Sequence, residues 1–230
     1  MRRFLSLLLI FCLGAVPVRA AGFRYVALTF DDGPSGRYTR DLLEGLSQRN
    51  ARATFFLCGY RMAEYPELTR QIFREGHEIG YHGYSHRTMK GMSRRAVAEE
   101  LIASGELLPE ECTPVLLRPP GGCCSDGVRQ VAQARQLAIV NWSLDPRDWA
   151  TDSVGAIESA VLKTVKDGDI ILLHDMSASS VRAALDIIDV LQQQGYRFVT
   201  VSELARLRGC SIRPGEVYTC FPPKEREQVK

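Results

Sequence analysis

The unusual constellations of residues that could do acid–base or metal chemistry fall in five short segments: Thr29-Phe30-Asp31-Asp32-Gly33-Pro34, His82-Gly83-Tyr84-Ser85-His86, Arg118-Pro119-Pro120-Gly121-Gly122, Asp145-Pro146-Arg147-Asp148-Trp149 and His174-Asp175. The chain has 4 histidines, and His82, His86 and His174 lie in these segments beside carboxylates. His82 and His86 are four apart, a spacing that presents both rings on one side of a helical turn. Two imidazoles and one carboxylate make a facial ligand set for a catalytic metal that keeps an open position, and Asp32 is the candidate third ligand. The plainer alternative is that a histidine in such a loop merely packs or hydrogen-bonds. A metalloprotease site would need Glu directly after the first histidine, where Gly83 stands. His77 precedes His82 by five residues and reads as structural, at the start of a strand.

Adjacent aspartates repel, and successive strand residues point to opposite faces. A break at Gly33-Pro34 would free the chain to aim both carboxylates into one pocket. A cation would relieve the repulsion: Asp32 binds it, while Asp31 stays unligated and accepts a proton from the attacking water. By itself the motif would better suit a turn with solvated charges.

The elements that must position these residues follow from periodicity. Short apolar runs at Tyr25–Phe30, Ala53–Leu57, His77–Gly80, Val115–Leu117, Ala138–Trp142, Asp169–Leu173 and Arg197–Val201 read as strands. Between them, Tyr38–Gln48, Glu64–Arg74, Ser93–Leu107, Asp126–Arg135, Val154–Val165 and Val181–Gln194 have helical period, and Ser202–Leu207 supplies a short closing helix. Strands alternating with helices imply parallel pairing with right-handed crossovers, in a barrel or an open doubly wound sheet. Either way, chemistry belongs at the C-terminal ends of the strands, where all five segments fall.

Composition is that of an ordinary globular protein, 45% hydrophobic and 24% charged over 230 residues. A net charge of +2 gives no reason to expect a nucleic-acid partner, and no Lys/Arg run forms a phosphate track. Residues 1–20 read as an export signal: Arg2 and Arg3, an apolar stretch from Phe4 to Val16, and the small-residue site Val18-Arg19-Ala20. That stretch is short for about 30 Å of hydrocarbon, so no stable membrane insertion is expected after cleavage. Of 7 cysteines, Cys12 goes with the signal. An even number remains, compatible with bridges in an exported protein. The favoured pairing is Cys210–Cys220 around Arg213-Pro214-Gly215, with reduced buried thiols as the alternative.

Taken with Leu172-Leu173 before His174, the five segments resemble the five ordered motifs of the polysaccharide deacetylases, the NodB-homology or carbohydrate esterase family 4 group. The resemblance spans Tyr25 to Leu207. It implies a single-domain distorted (β/α)7 barrel of NodB type over residues 21–208, followed by a C-terminal extension over 209–230. It implies further that Asp32, His82 and His86 bind a divalent metal, commonly Zn2+, and that Asp31 is the general base, held by Arg118. His174 would be the general acid, oriented by Asp148. Trp149 and Leu172 would wall the acetyl pocket, and the Gly121 N–H would meet the oxyanion.

Two positions depart from the family pattern: Gly83 replaces a Ser or Thr, and Gly121 replaces an aromatic. Groove shape and substrate preference are the properties these changes touch. The expected protein is thus a secreted or cell-wall-associated monomer that removes N-acetyl groups from peptidoglycan or a chitin-like oligomer. The alternatives are a catalytically silent glycan-binding protein on the same fold and an O-deacetylase acting on acetylated xylan.

Overall fold

The computed structural model describes residues 23–223, so the expected export signal lies outside the described residues. Eight strands run through this part: β1 Arg24–Asp31, β2 Thr54–Leu57, β3 Glu78–Tyr81, β4 Leu116–Leu117, β5 Ala138–Val140, β6 Ile170–His174, β7 Tyr196–Phe198 and β8 Val217–Tyr218. Seven of them are the expected strands; β8 carries too short an apolar run for periodicity to mark. The helices are α1 Arg37–Gln48, α2 Gly59–Glu64, α3 Pro66–Arg74, α4 Arg94–Gly105, α5 Asp126–Ala134, α6 Val154–Leu162, α7 Ala178–Gln193 and α8 Val201–Leu207. Ser93, Ser125, Ser153, Ser177 and Thr200 each cap a helix by accepting a backbone N–H with the side-chain oxygen.

The strands hydrogen-bond in the order β6-β1-β2-β3-β4-β5-β8, with β7 joined to the first residues of β1, and every pairing is parallel. A bridge between Leu144 and Ile171 brings the chain after β5 back to β6, so the sheet curls into a distorted barrel. Residues expected as a C-terminal extension take part in it: β8 lengthens the edge beside β5, and Phe221 is buried in the core.

Alternation along the strands sorts side chains between two buried clusters. Val26, Leu28 and Phe30 of β1, with Ile171 and Leu173 of β6, pack against Leu42, Leu46, Ile187 and Ile188 of the surrounding helices. Ala27 and Ile170 face the other way, into a cluster with Phe56, Leu116 and Val140. Continuing that second set at intervals of two gives Thr29 and Asp31, Leu172 and His174, and Arg118. The polar residues of the first, third and last motifs are therefore the upper continuation of one interior face.

Two expectations are corrected. No helical turn joins His82 to His86: the segment after β3 is irregular, with Gly83 and His86 both at positive φ (80° and 58°). The Cys210–Cys220 bridge is not formed, and the six described cysteines are all free thiols. Cys210 instead lies in the turn that follows α8, its N–H bonded to the Ala205 carbonyl and its side chain packed on the interior cluster, while Cys220 bridges in antiparallel fashion to Asp169.

Candidate active site

Register builds the site. In the parallel pairing of β1 with β6, Asp31 stands opposite His174 and Thr29 opposite Leu172. Asp32 leaves the strand geometry with φ 72°, in the left-handed region that Asp tolerates better than most residues. The chain thereby escapes alternation, and two consecutive carboxylates reach the same rim. Gly33 follows because nothing larger fits: a Cβ there would lie 2.5 Å from Oδ1 of the fully buried Asp175.

Arg118 is fully buried, and each of its three nitrogens donates. Its Nε donates to the Val140 carbonyl (2.9 Å) and its NH2 to the Asn141 carbonyl (2.8 Å). Its NH1 donates to Thr29 Oγ1 (2.8 Å) and to Asp31 Oδ1 (2.7 Å). The guanidinium also stacks over Phe56, 4.1 Å from the ring centre. Burial lowers the pKa of Arg118, opposed by the charge and hydrogen bond of Asp31. The pair fixes Asp31 with one oxygen committed and Oδ2 left 3.8 Å from His82 Nε2.

His82 Nδ1 lies 2.7 Å from the Arg118 carbonyl oxygen. A carbonyl only accepts, so Nδ1 carries a proton, and the ring in its neutral form presents a lone pair at Nε2. That Nε2 is 3.2 Å from Asp32 Oδ1, and His86 Nε2 is 3.0 Å from the same oxygen. Asp32 Oδ1 is itself buried without a hydrogen-bond donor among the described residues. Acceptors thus converge where only positive charge can reconcile them, and the ligand atoms of Asp32, His82 and His86 all lie within 4.8 Å of one another. Burial opposes ionisation of Asp32, but once the two imidazoles are protonated their hydrogen bonds and charge outweigh it and hold the carboxyl far below the usual range. This donor set fits a divalent cation.

On the opposite side, Asp148 is buried and grips His174 twice, accepting its backbone N–H at Oδ2 (2.8 Å) and its Nδ1 at Oδ1 (2.8 Å). His174 Nε2 is left facing the cluster, 4.0 Å from Asp32 Oδ2. Burial pulls its pKa down, but Asp148, then Asp31 and Asp32, prevail and raise it from 6.5 to about 9. His174 is therefore a proton donor at neutral pH.

A cavity of about 350 Å³ opens beside His174, lined among others by Asp32, Trp149, Asp152, Met176 and Ser177. Trp149 is 61% exposed, an unusual state for an indole and suited to a sugar face. Leu172 and Gly121 do not line it: Leu172 is buried in β6, and Gly121 stands exposed with φ 68° in the turn after Arg118. Sequence reasoning missed Asp152, Met176 and Ser177, which lie outside the strand ends and carry no motif, and Thr29, whose hydroxyl helps to hold Arg118. His77 is structural as expected, with Nδ1 accepting the Ala53 N–H.

The polysaccharide deacetylase family model matches residues 19–140. The chain is 40% identical over 191 residues to a peptidoglycan-N-acetylglucosamine deacetylase of Bacillus cereus, covering 80% of this chain and 90% of the relative. It is 35% identical over 201 residues to a chitooligosaccharide deacetylase of a Bradyrhizobium strain, covering 80% and 92%. Among solved structures, a family 4 acetyl xylan esterase from Clostridium thermocellum, in complex with a cobalt ion, superposes with a TM-score of 0.81 at 33% identity, over 86% of this chain and all of the esterase. With its rim, register and ordered motifs in agreement with these likenesses, the chain belongs to the polysaccharide deacetylase family.

Proposed function

We propose that this protein hydrolyses the N-acetyl groups of N-acetylglucosamine residues in a polysaccharide, peptidoglycan or a chitin-like oligomer, at a divalent metal site. One observation carries the reading: an acceptor-only cluster of Asp32, His82 and His86 lies between a carboxylate tied to a buried arginine and an imidazole tied to a buried aspartate. The two named deacetylase relatives act on such sugars by their names, and both are covered almost end to end. No helix among the described residues is long and apolar enough to cross a membrane, which accords with action on an extracytoplasmic glycan.

Asp32, His82 and His86 would hold the cation, most simply Zn2+. When bound, such an ion polarises a carbonyl and lowers the pKa of water from about 16 to about 7. Asp31, paired with Arg118, accepts the proton of the attacking water through its free Oδ2. Trp149 and the 350 Å³ cavity hold the sugar so that the acetamide faces this oxygen. The Gly121 N–H would support the oxyanion, a contact of a kind worth roughly 3–4 kcal/mol. His174 Nε2 then delivers its proton to the departing nitrogen, which cannot leave as an anion, while Asp148 steadies the resulting imidazole. Arg118 and Asp148 position these groups.

Acetate release from N-acetylglucosamine oligomers, with and without a chelator, tests the reading. Chelator should abolish release, and added Zn2+ should restore it. Glycan binding without acetate under every metal loading would instead mark a silent binding protein. The likeness to an acetyl xylan esterase makes acetylated xylan the second substrate to assay, because ester and amide pass through similar tetrahedral states. The amide needs the proton of His174 more than the ester does, so loss of His174 should depress N-deacetylation more.

A further inference from the structure

The loop that carries His82 and His86 has no secondary structure of its own, and Gly83 gives it no side chain to hold it. Its backbone groups are nonetheless tied on both sides. The carbonyls of Gly83 and Tyr84 accept the N–H groups of Gly59 (2.9 Å) and Tyr60 (3.0 Å), at the start of α2. Gly59 permits that approach, since a Cβ there would collide with the Tyr84 ring. The N–H groups of Tyr84 and Ser85 point the other way and meet a single side chain. Glu100 Oε2 accepts both, at 2.7 and 2.8 Å, and its Oε1 accepts the Ser85 hydroxyl at 2.7 Å.

Successive N–H groups made convergent by a left-handed residue form a concavity that suits an anion, and Gly83 at φ 80° produces it here. Glu100 reaches it from α4, whose Val97, Leu101 and Ser104 are buried and whose Val97 and Leu101 anchor in the cluster around Met89 and Leu117. Ser104 Oγ donates to the Glu100 carbonyl and keeps that turn in place. Burial opposes the charge of Glu100, but the bonds from Ser85 and Tyr84 prevail and lower its pKa.

We infer that Glu100 is a positioning residue for the metal site: its carboxylate fixes the Tyr84–Ser85 peptides, and through them the spacing of His82 and His86. This rests on the metal reading given above. What matters is where the acceptor oxygens sit rather than the negative charge, since they touch neutral amides and a hydroxyl. Outer groups of this kind change metal affinity or activity by roughly 10- to 100-fold when removed.

The test is zinc affinity, measured on the metal-free full-length protein by competition with a chromophoric chelator, together with the melting temperature of the metal-free form. Glu100→Ala should raise the zinc dissociation constant by at least about tenfold. Glu100→Gln, with an oxygen at the same reach, should stay within about threefold of wild type; Glu100→Asp, charged but one methylene short, should resemble alanine and serves should the alanine variant fail to fold. An alanine or aspartate variant that melts lower without metal yet holds zinc as tightly as wild type would overturn the assignment. So would retention of affinity by aspartate together with its loss by glutamine, which would mark a purely electrostatic role. A wild-type protein that takes up no zinc would overturn the metal reading itself, and this assignment with it.

Discussion

Asp31 and His174 are direct partners across the parallel pairing of β1 and β6, so the proposed base and acid are held at a separation set by two adjacent strands. Neither depends on a mobile loop for its backbone position. Each is also bound by one buried, oppositely charged residue supplied from elsewhere on the rim, Arg118 for Asp31 and Asp148 for His174. In the proposed mechanism the two ends of the reaction, proton removal and proton delivery, fall on different sides of the Asp32, His82 and His86 cluster.

Replacing Asp31 by Asn should separate proton transfer from metal binding. The asparagine carbonyl can still accept from Arg118 but cannot take a proton, so kcat should fall by roughly 100- to 10,000-fold. Zinc content, read by elemental analysis, should be unchanged. A variant that loses its zinc would show that Asp31 is a ligand. Arg118 would lose its one ionic partner among the described residues, and breaking a buried pair can cost about 3–5 kcal/mol, so the melting temperature should fall as well.

In the metal-free protein the His174 ring should titrate near 9, against an ordinary value of 6.5. Because the folded-state pKa is raised, the stabilisation from its protonation is present in full below about pH 6.5 and lost as pH rises through about 9. Asp148→Asn removes the largest favourable contribution and should bring the titration back down, as followed by NMR of the imidazole. The same variant should lose much of its kcat, since the ring is no longer held as the Nε2 donor. An unchanged titration would mean that Asp148 does not set the protonation of His174.

Gly33→Ala should damage the site without touching any reacting group. The new methyl would sit 2.5 Å from Asp175 Oδ1, and Asp175 is fully buried with Thr39 bonded to its other oxygen. Relief requires a shift of the Asp32 backbone or of Asp175, at a cost of about 1–3 kcal/mol. Both the melting temperature and the zinc affinity should fall. A variant as stable and as tightly metallated as wild type would show that the loop yields there at no cost.

The sequence alone determined which residues meet and at which end of the strands. Apolar runs alternating with helical periods required a parallel sheet, and a parallel sheet places all five polar segments on one rim. Residue types made Asp32, His82 and His86 candidates for a ligand set, and the resemblance of the five ordered segments to a known family favoured them over residues of a simple turn or loop. The means of convergence were decided only by tertiary structure. His82 and His86 approach through a left-handed loop held by α2 and Glu100, not through the helical turn their spacing suggested. Spacing constrains a helix, where geometry repeats, but says nothing of an irregular loop whose shape is set by hydrogen bonds to distant residues. The cavity residues Asp152, Met176 and Ser177 were hidden for the same reason. Nor does sequence proximity place the cysteines: Cys210 lies in the turn after α8, bonded to Ala205, and Cys220 lies beside Asp169.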